Sequence, residues 1–181
     1  MEQNELIPHL FRTEFSKITA VLCKRFGIQN IEIAEDIASD TFLLAVDSWT
    51  FKGIPANPVA WLYTVAKNKA KNYFQRDQIF KKKIAAQLIH SSDMNDEIEI
   101  DLSHKNISDS QLQMLFASCQ PSRSTESQIA LSLRILCGFG IDEIANAFLT
   151  SRETINKRLF RAKEKLRTEN SAFEFPSNTE I

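Results

Sequence analysis

Basic and amide side chains cluster in two stretches of this sequence, and their chemistry suits nucleic acid. Lysine and arginine attract phosphates, while asparagine and glutamine can hydrogen-bond to base edges. The first stretch contributes Lys67, Lys69, Lys71, Asn72, Gln75 and Arg76. The second stretch contributes Arg152, Asn156, Lys157, Arg161, Lys163 and Lys165. Both sets could contact DNA or RNA if the chain holds them on an exposed face.

Charge is distributed unevenly along the chain, although its net value is only −1. Residues 61–85 carry 7 basic side chains and 1 acidic one, and residues 129–170 carry 8 and 5. Between these blocks, residues 86–128 carry 2 basic and 7 acidic side chains. Two basic blocks separated by an acidic one indicate two surfaces that face a polyanion.

The second basic stretch belongs to a predicted helix-turn-helix over residues 141–167. The apolar positions recur at helical spacing and are Ile141, Ile144, Ala145 and Phe148 in the first helix, then Ile155, Leu159, Ala162 and Leu166 in the second. Ser151 is a suitable N-cap for the second helix. A short helix, a tight turn and a basic second helix match a DNA-reading motif, although such helix pairs are also common in other bundles.

The first basic stretch is predicted to form a helix over about 58–77. Asn57 before a proline is a strong start signal, because Asn can cap the helix and proline fits its first position. Trp61, Tyr73 and Phe74 could pack in the core or stack on unpaired bases. For Trp61, the apolar neighbours favour the core.

The composition predicts an all-α fold. The 181 residues include only 4 Gly and 5 Pro, and long periodic segments dominate. We expect two small helical domains, residues 1–90 and 110–168, the second containing the helix-turn-helix. A flexible acidic linker at 91–109 would join them, and a disordered tail would follow at 169–181.

Local signals place further boundaries. Asn30 is expected to cap a helix over about 31–49. Residues 51–57 are expected to form a loop because they contain Gly and Pro, and a separate helix is expected to follow the one ending near residue 77. A capping box is expected over residues 125–128. The buried stripe of the first helix of the C-terminal domain is expected to be Leu112, Leu115 and Phe116.

Motifs for catalysis or metal binding are missing from the sequence. The three histidines are scattered, and neither a nucleophile motif nor a phosphate-cradling glycine loop occurs. The three cysteines form no Cys-x-x-Cys pair. We therefore expect a protein that is not an enzyme and has no metal or cofactor. The acidic N-terminus lacks a signal pattern, so we expect a cytoplasmic protein without membrane insertion.

The helix over residues 31–49 combines an apolar stripe with an acidic face that includes Glu35, Asp36 and Asp40. A solvated helix face is the common explanation for such a pattern. These residues alone do not distinguish that explanation from a docking surface for a basic partner.

Several stretches resemble the sigma-70 family of bacterial RNA polymerase sigma factors, specifically the small extracytoplasmic-function (ECF, group 4) type. Residues 34–46, AEDIASDTFLLAV, are similar to the helix with which the family binds core polymerase. Residues 58–76, PVAWLYTVAKNKAKNYFQR, are similar to the helix that reads the promoter −10 element. Residues 126–167 resemble the −35 domain, with EIA at 143–145 and RLFRAKEKLR at 158–167.

The resemblance implies a sigma factor that binds core polymerase and directs promoter-specific initiation by recognising −35 and −10 elements and helping to melt the −10 region. The implied partners are core RNA polymerase, through its β′ clamp and β flap, and promoter DNA. The resemblance also leaves room for an anti-sigma factor. The implied core-binding residues are Glu35, Asp36, Ser39, Asp40 and Thr41.

The resemblance further implies two sets of DNA contacts. The −10 set is Phe51, Lys52, Asn57, Lys67, Asn68, Lys71, Asn72, Gln75 and Arg76. The −35 set is Ser151, Arg152, Glu153, Thr154, Asn156, Lys157, Arg158, Arg161 and Lys163. The loop at 51–57 would hold a base flipped from the opened strand, which requires stacking and hydrogen bonds to offset the loss of base stacking.

The sequence departs from the family pattern at a few positions. Ser39-Asp40 stands where Gln-Glu is usual, Lys67 replaces a common Arg, and Asn72 replaces a common Asp. The resemblance therefore does not determine which promoter sequence the chain recognises. The GIPANPVAW run resembles a subgroup with an extra C-terminal domain, so the chain is either a short member or part of a longer protein. The alternative function is a two-domain regulator that binds duplex DNA without core polymerase.

Overall fold

The computed structural model describes residues 3–85 and 99–168 of the chain. In order, its helices are α1 (Gln3–Phe26), α2 (Ile31–Lys52), α3 (Pro58–Ala85), α4 (His104–Ser118), α5 (Thr125–Ile135), α6 (Ile141–Ala147) and α7 (Arg152–Thr168). A 3₁₀ turn, Ile28–Asn30, joins α1 to α2. No β-strand occurs within these described ranges, and the prediction of an all-α fold is confirmed.

The first three helices pack around an apolar core. Phe15, Ile18 and Leu22 of α1 are buried. The rings of Phe11 on α1 and Phe42 on α2 meet edge to face, with their centroids 5.1 Å apart. Because aromatic pairs in this geometry contribute beyond the area they bury, they help to hold α2 against α1.

A buried carboxylate links α1 to α3. Glu14 on α1 is only 6% exposed, and it accepts hydrogen bonds from the Tyr63 hydroxyl at 2.6 Å and from Lys17 Nζ at 2.9 Å. Burial and the bond to Glu14 both raise the pKa of Tyr63. The two donors satisfy a charge that would otherwise be costly to bury, and the bond from Tyr63 fixes α3 relative to α1.

The helix caps confirm one local signal and correct another. Asn57 caps α3 as predicted, since its Oδ1 accepts from the backbone N of Ala60 at 3.0 Å. Asn30 does not cap α2 with its side chain. Instead its Nδ2 donates to the backbone O of Phe26 at 2.7 Å and closes the end of α1. The 3₁₀ turn brings this amide back to the preceding helix.

Two predicted boundaries in the N-terminal half are wrong. Phe51 and Lys52 belong to α2, so the predicted loop begins only at Gly53. At this glycine φ is +80°, a conformation that few other residues adopt, and this backbone reversal ends the helix. α3 continues unbroken to Ala85, where two helices were expected. The sequence between residues 77 and 81 contains no Gly or Pro that would interrupt it.

Serines cap three of the C-terminal helices. Ser103, Ser124 and Ser151 each accept a hydrogen bond from the backbone N–H three residues later. The Ser151 cap is as predicted. The capping box expected at 125–128 does not form, because Ser124 already occupies the cap position of α5.

Helix α4 differs most from expectation. It begins at His104, inside the range predicted as linker. The expected stripe is exposed, at Leu112, Leu115 and Phe116. The buried positions are Ile107, Ser110, Met114, Ala117 and Ser118, and the first four are spaced at helical intervals of 3, 4 and 3. The small side chains of Ser110 and Ala117 let this face of α4 pack against α1.

The N-terminal and C-terminal halves of the described chain are in contact. The apolar core is continuous from α1 through α7. Across α1 and α4, Lys24 Nζ donates to Asn106 Oδ1 at 2.7 Å, and Gln111 Nε2 donates to Ser16 Oγ at 3.4 Å. The predicted tail and residues 91–98 of the predicted linker fall outside the described residues, and the predicted domain limits stay predictions.

Candidate nucleic-acid interface

Helix α3 presents the predicted −10 residues on its surface. The six side chains on this helix are all exposed, at Lys67, Asn68, Lys71, Asn72, Gln75 and Arg76. Leu62, Ala66 and Ala70 form the buried side of the same helix. The two sides arise because apolar residues recur every four positions along this helix. The basic and amide residues between them therefore point outward. The exposed face can therefore offer both phosphate attraction and hydrogen bonds to bases.

The aromatic residues of α3 pack against aromatic residues of α1 and α2. Trp61 is half-buried and packs edge to face on the buried Trp49, with centroids 5.3 Å apart. Tyr73 and Phe74 both pack on Phe26 of α1, at 5.7 Å and 4.5 Å. These contacts favour the core interpretation for Phe74 and for Trp61, as expected from the neighbours of Trp61, whereas Tyr73 packs on Phe26 but stays 37% exposed.

The remaining −10 candidates flank the α2–α3 turn. The Phe51 side chain is 89% exposed, and Lys52 beside it is also exposed. Asn57 is exposed, but its Oδ1 is already used to cap α3. Because so little of its ring is buried in the folded chain, Phe51 is available to stack on a partner.

The acidic face of α2 is only partly available. Asp36 is exposed, and Asp40 is exposed with Lys69 Nζ 3.5 Å from its carboxylate. Ser39 is half-buried. The side chain of Glu35 is only 12% exposed, because Lys163 of α7 pairs with it. The five predicted core-binding residues therefore do not form one open surface.

Thr41 is a correction to the predicted core-binding set. Its side chain is fully buried, and its hydroxyl donates to the backbone O of Ile37 at 2.8 Å. Ile37 and Ala45, one turn away on either side, are also buried. Thr41 thus lies on the core face of α2, where it cannot touch a partner bound at the surface.

The helix-turn-helix holds most of the predicted −35 residues outward. Arg152, Glu153, Asn156, Lys157 and Arg161 are exposed at and after the start of α7. The Ser151 hydroxyl accepts from the backbone N of Thr154 at 3.2 Å, so both residues fix the helix start. Helix α7 buries Ile155, Leu159, Ala162 and Leu166, all four as predicted.

Three of the −35 candidates already have partners within the chain. Arg152 lies 3.6 Å from Asp142 across the turn, and both side chains are largely exposed. The guanidinium of Arg158 lies over the ring of Phe148, 5.8 Å from its centroid. Lys163 pairs with Glu35. Of the three, only Lys163 binds a residue of the N-terminal half.

Two residues outside the predicted sets extend this contact. Arg167 near the end of α7 pairs with Glu32 in the first turn of α2. Arg12 of α1 pairs with Glu143 of α6 at 2.6 Å. The paired positions are more than a hundred residues apart, and no local signal in the sequence predicts which acid meets which base.

The turn of the helix-turn-helix contains an unusual backbone conformation. Leu149 has a φ of +49°, and its side chain is 95% exposed. A leucine pays a steric penalty in this left-handed region. The turn accepts it because Leu149 N and Thr150 N bond the backbone O of Asn146 and Ala145, which fixes the reversal between α6 and α7.

An apolar groove lies where α1, α2 and the turn before α6 meet. Its volume is about 510 Å³, and it is lined mainly by Ile7, Phe11, Phe42, Leu43 and Val46.

Among the described residues, no group of three or more His, Cys, Asp or Glu side chains could hold a metal ion. In the same part of the chain, every helix is too short or too polar to cross a bilayer.

Two family models match this chain. The Sigma-70 region 2 model matches residues 10–79, and the Sigma-70, region 4 model matches residues 124–166. The first match covers α2 and the basic face of α3, and the second covers the helix-turn-helix. Together the two matches span more than half of the chain.

Three relatives illustrate the similarity. An uncharacterized protein of Rhizobium meliloti (strain 1021) is 30% identical over 151 residues, which cover 82% of this chain but only 35% of that protein. RNA polymerase sigma factor YlaC of Bacillus subtilis (strain 168) is 28% identical over 92% of this chain and 93% of its own length. The ECF RNA polymerase sigma-E factor of Haemophilus influenzae is 27% identical over 71% of this chain and 70% of its own length.

A co-crystal structure of the sigma factor RpoE with the anti-sigma factor NepR from Bartonella quintana is also similar. The match has 18% sequence identity, covers 96% of this chain and 100% of that one, and has a TM-score of 0.32. At that score we carry nothing over from the complex. On the two family models and the named relatives, the chain belongs to the sigma-70 family of RNA polymerase sigma factors and is of the ECF type.

Proposed function

We propose that this chain binds core RNA polymerase and directs promoter-specific initiation by recognising −35 and −10 elements and helping to melt the −10 region. The observation that carries the proposal is the exposed basic and amide face of α3, in the part of the chain that matches region 2. A protein that only binds duplex DNA through a helix-turn-helix has no need of this second face.

The −10 contacts are proposed on α3 and at the end of α2. Lys67, Lys71 and Arg76 would attract phosphates, while the amides of Asn68, Asn72 and Gln75 could reach base edges. Phe51 and Lys52, at the end of α2, would meet the opened strand, where an exposed aromatic ring can stack on a base. The Nδ2 of Asn57 could donate a hydrogen bond to the DNA, because the cap of α3 uses only its Oδ1.

The −35 contacts are proposed at the N-terminal turns of α7. Arg152, Asn156 and Lys157 lie in the part of the helix that enters a major groove in this motif. Arg161, about one turn beyond Lys157, would contact a phosphate. The backbone N–H groups at the start of α7 add a partial positive charge that also favours a phosphate nearby.

The core-polymerase contact is proposed on α2. Asp36 and Asp40 are exposed, and Glu35 and Ser39 adjoin them. An acidic helix face suits a basic surface such as the β′ clamp, while the C-terminal unit would meet the β flap. Because polymerase works in the cytoplasm of bacteria, we place this chain there. Two functional units at 1–90 and 110–168 would reach the two promoter elements.

In vitro transcription tests this function. Core polymerase from a bacterium is combined with the purified chain and a pool of promoter-containing DNA, and transcript start points are mapped. We expect defined start points that vanish when the chain is omitted. Tight binding of the chain alone to duplex DNA, together with no binding to core polymerase, would favour the regulator that acts without polymerase.

A further inference from the structure

The contact between α2 and the C-terminal part of α7 joins residues from both proposed binding surfaces. Lys163, a candidate −35 residue, pairs with Glu35, a candidate core-binding residue. Their side chains are 19% and 12% exposed, so the pair is largely shielded from water. One turn further along α7, Arg167 pairs with Glu32 on the same face of α2, at more exposed positions.

The surroundings show that this contact is a packed interface. Leu166 of α7 and Ile31 of α2 are buried. The thiol of Cys23 on α1 is buried, and its pKa is raised mainly by that burial and also by the charge of Glu35. Apolar burial thus accompanies the two ion pairs, and the shielded Glu35–Lys163 pair is weakly screened by salt.

We propose that the α2 face around Glu32 and Glu35 is the docking site of the chain's own α7, and that this closed state masks part of the core-binding surface. A polymerase clamp and α7 cannot occupy the same carboxylates at once. The masking rests on the proposed sigma function, whereas the docking itself does not. Core polymerase would therefore bind the open state and select it from the closed one.

The expected consequence is a measurable reduction of apparent affinity. When only a fraction of the chain is competent to bind, the apparent Kd rises by the inverse of that fraction. If one chain in ten is open, variants that abolish docking should bind core polymerase about tenfold more tightly. The gain should appear without DNA, which separates it from any effect of Lys163 on the −35 element.

Charge reversal on α7 provides the test. Lys163→Glu and Arg167→Glu each place an acid opposite an acid of α2, and the double variant should open the chain further. Lys165→Glu is the matched control, because Lys165 lies on the same helix but bonds Ser122 of the C-terminal half, at 2.7 Å. Pairing Arg167→Glu with Glu32→Arg restores opposite charges and should close the chain again.

Two readouts decide the outcome. Small-angle scattering of the free chain should show a larger radius of gyration for the reversal variants than for the wild type and Lys165→Glu; a compact chain of this length has a radius of about 16 Å. Carbodiimide coupling should join Lys163 to Glu35 in the wild type, as detected by peptide mass spectrometry. Affinity for core polymerase is then measured without DNA.

Each result has a definite meaning. Expansion together with tighter core binding supports the proposal. An unchanged radius of gyration, with no coupled Lys163–Glu35 peptide in the wild type, overturns the docking. Expansion with unchanged core affinity overturns the masking. If the wild type and the opened variants all fail to bind core polymerase, the proposed function fails, while scattering and coupling still report on docking. The milder Lys163→Gln replaces any variant whose circular dichroism shows unfolding.

Discussion

Lys163 on α7 donates a hydrogen bond to Glu35 on α2, linking two residues 128 positions apart in the sequence. The two residues belong to different proposed surfaces, one for DNA and one for core polymerase. Their pairing leaves Asp36 and Asp40 as the exposed acids of the proposed core-binding set, and these two can start an encounter with a basic partner.

Reversing these two acids should weaken core binding. We expect Asp36→Lys combined with Asp40→Lys to reduce affinity for core polymerase about tenfold or more, because like charges would then face the basic clamp. The measurement is a binding titration without DNA. Asp47→Lys, on the same helix and also exposed, should leave the affinity near that of the wild type. An equal reduction in both variants would remove Asp36 and Asp40 from the core-binding surface.

Removing Arg161 should weaken promoter recognition and spare core binding. Arg161 is exposed on α7, and deleting a side chain that neutralises one phosphate should reduce the salt dependence of DNA binding by about one ion. The measurement is initiation by holoenzyme with Arg161→Ala on promoters with and without a −35 element. Lys105→Ala, which removes an exposed basic residue of α4 outside both candidate sets, serves as the control. Weakened core binding in Arg161→Ala would contradict its assignment to DNA.

Phe51 should contribute to strand opening and little to stability. Its ring is 89% exposed, so Phe51→Ala removes almost no buried surface, but it would remove a stacking interaction of about 1–3 kcal/mol with an unpaired base. Permanganate reactivity of thymines in the −10 region measures the open fraction, which should fall. Phe160→Ala removes another exposed ring, on α7, and should leave that fraction unchanged. Full reactivity in Phe51→Ala would exclude the stacking role.

Several of these assignments could be predicted from the sequence because they depend on one helix and its nearest turns. The caps at Asn57 and Ser151 and the buried stripe of α7 are of this kind. The burial of Thr41 could also have been predicted, because Thr41 stands four residues from both Ile37 and Ala45. The Glu35–Lys163 pair could not be predicted from the sequence, because it depends on how two distant helices pack.

Helix α4 is a second case in which the sequence alone did not predict the packing. Its sequence contains two apolar faces, one with Leu112, Leu115 and Phe116 and one with Ile107 and Met114. Side-chain size favoured the first face, but close packing on α1 selects the second. Only the partner helix decides between the two faces, and periodicity alone does not identify that partner.

Leu149 should be replaceable by glycine with a gain in stability. Its φ of +49° strains a residue that has a Cβ, and its exposed side chain contributes no burial. We expect Leu149→Gly to raise the free energy of unfolding by about 0.5–1 kcal/mol, after the extra entropy of a glycine in the unfolded chain is subtracted. Leu149→Ala keeps the Cβ and should change stability little. A destabilised glycine variant in thermal unfolding would show that the leucine side chain has a role in the fold.

The buried thiol of Cys23 should make stability depend on alkaline pH. Burial raises its pKa in the folded chain, so the unfolded chain loses the thiol proton first as pH rises. The stabilising contribution is complete below about pH 8.5, the ordinary thiol pKa, and declines above it. Urea titrations of Cys23→Ala from pH 7 to 10 should show a smaller decline than the wild type. Cys119→Ala, at an exposed position, is the control. Equal declines in the wild type and Cys23→Ala would contradict this linkage.

The most direct test of promoter recognition by two surfaces is selection from random DNA with holoenzyme reconstituted from core polymerase and this chain. Recovered templates that share two sequence blocks at a fixed separation, one near −35 and one near −10, are the predicted result. Templates that share only one block, or that are recovered equally well without core polymerase, would contradict it.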